Sequence, residues 1–167
     1  MARAAATVRI GVISDTHGLL RPEAVRALRG SAFIVHAGDI GTPEVLAALR
    51  AIAPVVAVRG NNDRGAWART LRDTETVEVA GVRVHVVHDV KELRGDGGAP
   101  AVDVVIAGHS HRPGIARRDG MLFLNPGSAG PRRFSLPITV ARLSVRGGRA
   151  HARIVPLALL SSRSARP

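Results

Sequence analysis

"TVRIGVISDTHG", Thr7 to Gly18, carries the first strand and the first chemical signal of the chain. Thr7 to Ile13 is a continuous, mostly β-branched run, the pattern of a strand buried on both faces in a parallel sheet. Asp15 and His17 come where the run stops, and Gly18 supplies a turn. Ligand sites of open α/β sheets form outside the carboxyl ends of their strands. A lone Asp-x-His is more often a surface loop. Its meaning depends on how the other strands end.

Reading outward, "RPEAVRALRG" (Arg21–Gly30) predicts a helix, with Pro22 in its first turn, Ala24, Val25 and Leu28 on one face, and Gly30 as its stop. "AFIVHAG" (Ala32–Gly38) is a second strand. "TPEVLAALR" (Thr42–Arg50) repeats the proline-led helix with Thr42 as N-cap, and "PVVAVRG" (Pro54–Gly60) is a third strand. The order βαβαβ implies a parallel sheet with right-handed crossovers. The second half alternates instead. "TETVEVAGVRVHVVH" (Thr74–His88) predicts a hairpin around Ala80-Gly81, and residues 138–157 a closing hairpin around Gly147-Gly148. "DVVIAG" (Asp103–Gly108) and "MLFLNPGS" (Met121–Ser128) add strands between them. Mixed strand directions with few helices point to two packed sheets with helices outside. "RGDGGAP" (Arg94–Pro100) reads as a loop, and the tail from about residue 160 as frayed.

The whole chain, residues 1–167, reads as one domain large enough for a core of Val, Ile, Leu and Ala, since it has no Tyr, one Trp and three Phe. No apolar run approaches the roughly 20 residues of a membrane span, and the N-terminus lacks a separate leader, so a cytoplasmic protein is expected. Without cysteine, any metal must be held by nitrogen and oxygen. Net charge is +11, yet Lys91 is the one lysine among 24 basic residues. That Arg-rich, Lys-poor balance is what a GC-rich coding sequence produces. No aromatic residues interleave the arginines to stack on bases, so weak, sequence-blind nucleic-acid binding is the most the charge predicts.

Other strands do end like the first. The second strand leads into Asp39, the third into Asn61, the long hairpin strand into His88, and "DVVIAG" into His109 and His111. Two Asp, one Asn and four His thus converge on one rim. Imidazoles, carboxylates and an amide carbonyl suit Mn, Fe or Zn. Two such ions roughly 3.5–4 Å apart can share a carboxylate and activate a hydroxide for attack on phosphorus. Less the two Asp and a hydroxide, their charge leaves about +1, complementary to a phosphodiester monoanion.

In this order the motifs "SDTHG", "HAGD", "VRGNND", "GHSHRP" and "NPGS" resemble the calcineurin-like metallophosphoesterase superfamily, and its small bacterial phosphodiesterase branch in particular. The resemblance spans Ile10 to Ser128. It implies a four-layer α-β-β-α sandwich, two mixed sheets flanked by helices. It also implies one metal on Asp15, His17, Asp39 and His111 and a second on Asp39, Asn61, His88 and His109, with Asp39 bridging. The implied reaction is hydrolysis of a phosphate ester, most readily a small phosphodiester or nucleotide-type substrate, by a bridging hydroxide. Two divalent ions are expected, Mn²⁺ first, then Ni²⁺, Fe²⁺ or Zn²⁺.

The sequence departs from the family at two positions. Many members place a leaving-group acid, His, where this chain has Asn62, and Gly where it has Asp89. The stretch from Asp89 to Asp103 is also short where relatives carry a helix. Asp39, Asn61 and Asn62 are the candidate catalytic residues. Asp63 and Asn125 are candidates to orient the ligands. Arg64 and Arg112, with Arg132 and Arg133, are candidates to hold the substrate phosphate. His36 either packs in its strand or supports the site by hydrogen bonding, His85 reads as structural, and His151 as exposed. A non-catalytic scaffold, as in the retromer subunit of similar fold, and a nuclease are the competing readings. The scaffold reading grows as ligand positions are lost, and here every one is filled. A homo-oligomer is compatible with the sequence.

Overall fold

The computed structural model describes residues 6–94 and 101–159. All but the first residue of the loop expected at 94–100, and the tail expected to fray, lie outside them. The first half runs β1 (Val8–Ile13), α1 (Pro22–Leu28), β2 (Phe33–His36), α2 (Pro43–Arg50) and β3 (Val55–Ala57). The second half runs β4 (Thr74–Val79), β5 (Val82–Val87), β6 (Val104–Ile106), β7 (Gly114–Arg118), β8 (Met121–Asn125), β9 (Thr139–Arg146) and β10 (Arg149–Pro156). Two five-stranded mixed sheets result, ordered β10-β9-β1-β2-β3 and β4-β5-β6-β8-β7. β1, β2 and β3 are parallel, as are β5, β6 and β8, and antiparallel strands form every edge except that of β3.

Alternation along the strands builds three apolar layers. Ile10, Val12 and Val35 face Val84, Val86, Ile106 and Leu124 between the sheets. On the outer side of the first sheet, Ile13, Ile34 and Val140 lie beneath Leu28 of α1 and Val45, Leu46 and Leu49 of α2. Each fully buried Leu or Ile there contributes about 1.5–3 kcal/mol. Outside the second sheet, the described residues that cover Val87, Val105 and Ala107 include the 3-10 turn Val90–Arg94, which brings Leu93 onto them. Among the described residues this fourth layer is thin, in keeping with the short Asp89–Asp103 segment, and it leaves Val90 and Ile115 each 43% exposed.

Three local features differ from the sequence reading. Thr42 occupies the N-cap of α2 with extended backbone, but its side chain makes no capping bond; Pro43 already removes one of the N–H groups a cap would serve. The 3-10 turn Ala68–Thr70 has no counterpart in the sequence pattern. Neither has β7, all of whose residues are exposed, so that burial leaves no alternation to read. Its signal was the two-residue turn Asp119-Gly120, where both φ angles are positive (50° and 79°). Among the described residues no helix is long and apolar enough to cross a membrane.

Candidate metal centre

Parallel pairing brings the carboxyl ends of β1, β2, β3, β5 and β6 to one rim, and the backbone there is strained. Of the eight non-glycine residues with positive φ among the described residues, five are expected ligands: Asp15 (55°), His17 (46°), Asp39 (54°), His109 (67°) and His111 (59°). Left-handed backbone costs an L-residue roughly 1–2 kcal/mol, and such strain concentrates at functional sites. Neighbouring loops hold it in place. Asp15 N–H donates to the Gly38 carbonyl (3.0 Å), His17 N–H to that of Asp39 (2.9 Å), and Gly108 N–H to that of His88 (2.9 Å).

The side chains form two groups. His17 Nε2 lies 3.3 Å from His111 Nε2, and His111 Nε2 lies 3.3 Å from Asp15 Oδ1. On the other side, Asn61 Oδ1 lies 3.0 Å from His88 Nε2 and 3.2 Å from His109 Nδ1. Asp39 Oδ2 lies between the groups, 3.7 Å from His17 Nε2 and 3.5 Å from His88 Nε2. Donors sharing one ion at bonds near 2.1 Å stand roughly 3.0–3.4 Å apart, so the spacings within each group fit a cation, with Asp39 Oδ2 slightly farther out.

Hydrogen bonds aim the donors. Ser14 Oγ (2.7 Å) and His109 N–H (3.1 Å) both donate to Asp15 Oδ2. That leaves Asp15 Oδ1 buried with no hydrogen-bond partner, as is His111 Nδ1. An orphaned carboxylate oxygen facing two imidazole nitrogens suits a cation. His88 Nδ1 donates to the Ala37 carbonyl (2.7 Å), which turns Nε2 toward the other donors. Asn62 donates twice to Asp39, N–H to Oδ1 at 2.9 Å and Nδ2 to Oδ2 at 2.7 Å.

Electrostatics match this geometry. Burial opposes ionisation of Asp39, but hydrogen bonds from His88 and Asn62 outweigh it and hold the carboxyl far below its usual range. Burial likewise works against a charged His88, yet Asp39 and the Ala37 carbonyl push its pKa up to about 9. Burial holds His17 below its ordinary value against the pull of Asp39 and Asp15. A metal entering beside His88 must therefore displace a proton, so its affinity rises with pH.

A family model, the calcineurin-like phosphoesterase superfamily domain, matches residues 8–148. The chain belongs to that superfamily. A "Probable metallophosphoesterase" of Methanothermobacter thermautotrophicus is 39% identical over 158 residues, covering 87% of this chain and 91% of that protein. Another so named from Methanocaldococcus jannaschii is 37% identical over 164 residues, covering 90% and 82%. Among solved structures, an archaeal phosphodiesterase superposes with TM-score 0.71 at 24% identity, covering 89% of this chain and 100% of that one. The E. coli phosphoesterase YfcE gives 0.64 at 22%, covering 90% and 100%. Vacuolar protein sorting 29 from Cryptosporidium parvum gives 0.71 at 17%, covering 89% and 97%. The structural likeness establishes the fold. Membership places the chain among phosphoester hydrolases that use divalent metal ions.

Within this phosphoesterase fold, other expected residues take more specific places. Asp63 and Asn125 brace backbone rather than imidazoles. The Asp63 carboxylate accepts from Gly41 N–H (2.9 Å) and Gly60 N–H (2.8 Å). Asn125 Nδ2 donates to the Gly108 carbonyl (2.9 Å) and Ser110 Oγ (3.1 Å). Arg64 shares a polar cleft of about 590 Å³ with Asn61 and Glu92, whereas Arg112 lines an apolar groove with Val105 and Phe123. Arg133 is close enough to His17 for its charge to lower that imidazole's pKa. Arg132 is exposed, His85 pairs with Thr76 across the β4–β5 hairpin (2.8 Å), and His151 is exposed on β10. Asp89 Oδ1 accepts from Lys91 N–H (3.0 Å) at the start of the 3-10 turn, and its Oδ2 faces His109 Nε2 at 3.7 Å.

His36 is a tie between loops. Its Nδ1 accepts from Gly38 N–H (3.2 Å), so Nε2 carries the proton toward Thr16 Oγ1 (2.9 Å), which donates in turn to the Ile40 carbonyl (2.9 Å). The sequence leaves this role beside plain packing because strand alternation says nothing of where the next loop lies.

The glycines of the rim and His36 each give a measurable consequence. A Cβ at Gly60 would collide with Asp39 N and Oδ1, and one at Gly108 with Ser14 Oγ and, at 2.7 Å, Asp15 Oδ2. Gly60→Ala and Gly108→Ala should therefore lower metal content at least as much as removing one ligand, although neither glycine is itself a ligand; elemental analysis reads this directly. Burial drives the His36 pKa down to about 4. Unfolded, it titrates near 6.5 and binds more protons than the native state between those values, so the protein loses up to about 3 kcal/mol as pH falls through this window. Denaturant melts from pH 4 to 7 should show a shallower acid decline in His36→Asn than in wild type.

Proposed function

We propose that the chain is a phosphodiesterase with a two-metal centre. Asp15, His17, Asp39 and His111 would hold one ion, and Asp39, Asn61, His88 and His109 the other. The observation that carries this is the position of Asp39 Oδ2, within 3.7 Å of a histidine of either group. Nitrogen and oxygen donors without thiolate favour Mn²⁺, with Ni²⁺, Fe²⁺ and Zn²⁺ as alternatives. When bound, such ions polarise a phosphoryl oxygen and acidify water. The protein supplies the rest. Asn62 clamps the shared carboxylate, and the Ala37 carbonyl fixes the His88 tautomer. Arg64 in the cleft, and Arg133, whose charge reaches His17, offer guanidinium forks to the non-bridging oxygens of a small phosphodiester or nucleotide-type substrate. The likeness to vacuolar protein sorting 29 makes a protein-binding scaffold the second reading; the phosphodiesterase reading comes first because every ligand position is filled.

The leaving oxygen needs a proton, and the Asn62 amide has none to give at neutral pH. His36 is buried with both ring nitrogens engaged, so it does not fill the gap. A positioned general acid contributes roughly 10²–10⁴ in rate. Metal-stripped protein restored with Mn²⁺ should therefore hydrolyse aryl phosphodiesters well and alkyl diesters poorly, with the rate falling steeply as leaving-group pKa rises. Asn62→His should help poor leaving groups more than good ones. No diester hydrolysis with Mn²⁺, Ni²⁺, Mg²⁺ or Zn²⁺ would refute the reading. A flat wild-type dependence would transfer the acid role to Asp89.

A further inference from the structure

Positive charge is distributed unevenly along the chain. Residues 120–167 hold eight of the arginines and no Asp or Glu, and so eight of the eleven net positive charges. A coding bias enriches arginine everywhere but gives no reason for carboxylates to vanish from one stretch. Asymmetry of this kind points to an anionic partner.

The fold concentrates the charge further. Ala141, Leu143, Val145 and Ala152 face the second sheet, so alternation turns Arg142, Arg146, Arg149, His151 and Arg153 outward, and β1 adds Arg9. The register aligns them across strands, with Arg9 beside Ser144, Ser144 beside His151, Arg142 opposite Arg153 and Arg146 opposite Arg149. Like charges directly opposite destabilise an antiparallel ladder, and here two such pairs stand on one hairpin. Among the described residues none of these arginines pairs with a carboxylate. Arg142 instead donates to the Ala27 carbonyl of α1 (3.2 and 2.8 Å), which anchors its guanidinium. Arg9, Arg142, His151 and Arg153 border a groove of about 170 Å³.

The chemistry of the face narrows the partner. The large exposed apolar residues, Leu19, Val90, Ile115 and Phe134, all lie elsewhere, so nothing here inserts into a lipid layer. β1, β9 and β10 contain no Phe, Tyr or Trp on which a base could stack. What remains is a grid of guanidinium forks, about 13 Å apart along a strand with Ser144 and His151 between them, and about 4.8 Å apart between strands. A nucleic-acid strand carries a phosphate every ~3.4 Å of duplex axis, so the grid spans several phosphates at once. We propose that the outer face of β1, β9 and β10 binds the sugar–phosphate backbone of a nucleic-acid duplex without reading its sequence. Arg9 lies near the start of β1 whereas Asp15 lies beyond its end, which separates this face from the metal rim and makes the proposal independent of the catalytic reading.

The test is anisotropy of a fluorescein-labelled DNA duplex titrated with full-length protein between about 50 and about 200 mM salt. With four exposed arginines engaged, log Kobs should fall with log salt at a slope of about −3.6. Arg149→Gln with Arg153→Gln should make that slope shallower by about 1.8 and weaken binding at about 50 mM salt by ~10-fold or more. Arg9→Gln alone, on another strand, should remove about 0.9. The control pair Arg50→Gln with Arg69→Gln, which removes the same charge from exposed sites elsewhere, should leave Kd within about two-fold. Circular dichroism and melting curves should report folded variants, with the β10 pair no less stable than wild type at low salt because a like-charge repulsion is gone. The proposal is overturned by absence of saturable binding at low salt, by equal loss in the control pair, or by preference for phosphatidylserine vesicles over the duplex.

Discussion

Two carboxylates buried almost completely at the base of one rim, Asp15 at 0% and Asp39 at 2% exposure, set the terms for the rest of the structure. An isolated buried anion is too costly to persist unless hydrogen bonds and opposite charge surround it. Each carboxylate is partly satisfied by the protein, Asp15 Oδ2 by Ser14 and His109, Asp39 by both amide groups of Asn62. What remains unsatisfied suits a cation. Asp15 Oδ1 has no hydrogen-bond partner and faces imidazole nitrogens.

Holding those groups still requires backbone that an ordinary loop would not adopt. Five left-handed residues are kept in place because the loops after β1 and β2 bond to one another, and because β5 and β6 pair in parallel behind them. Glycines let these loops approach closely, as Gly60 does against Asp39 and Gly108 against Ser14. The site is thus a property of the sheet ends taken together. A substitution that moves one loop disturbs donors carried by another.

Much of this was legible in the sequence because strands impose a simple rule: their period is two, and the residues just past the carboxyl ends of parallel strands share a rim. The runs ending at Asp15, Asp39, Asn61, His88 and Gly108 could be placed together without coordinates. Features that depend on contacts between loops could not. The hydrogen bonds of His36 to Thr16 and Gly38, the double contact of Asn62 with Asp39, and the backbone bracing by Asp63 and Asn125 have no periodic signature. β7 was hidden because an exposed edge strand needs no alternation. The arginines of β9 and β10 read as compositional one by one. Cross-strand register is what sets Arg142 against Arg153 and Arg146 against Arg149.

The central claim is that one carboxylate, Asp39, joins two metal sites. Electron paramagnetic resonance of metal-stripped protein titrated with Mn²⁺ tests it most directly. The account predicts saturation at two equivalents, with a spectrum of exchange-coupled ions in wild type that is lost in Asp39→Asn. Saturation at one equivalent, two uncoupled ions in wild type, or coupling that survives Asp39→Asn would contradict it.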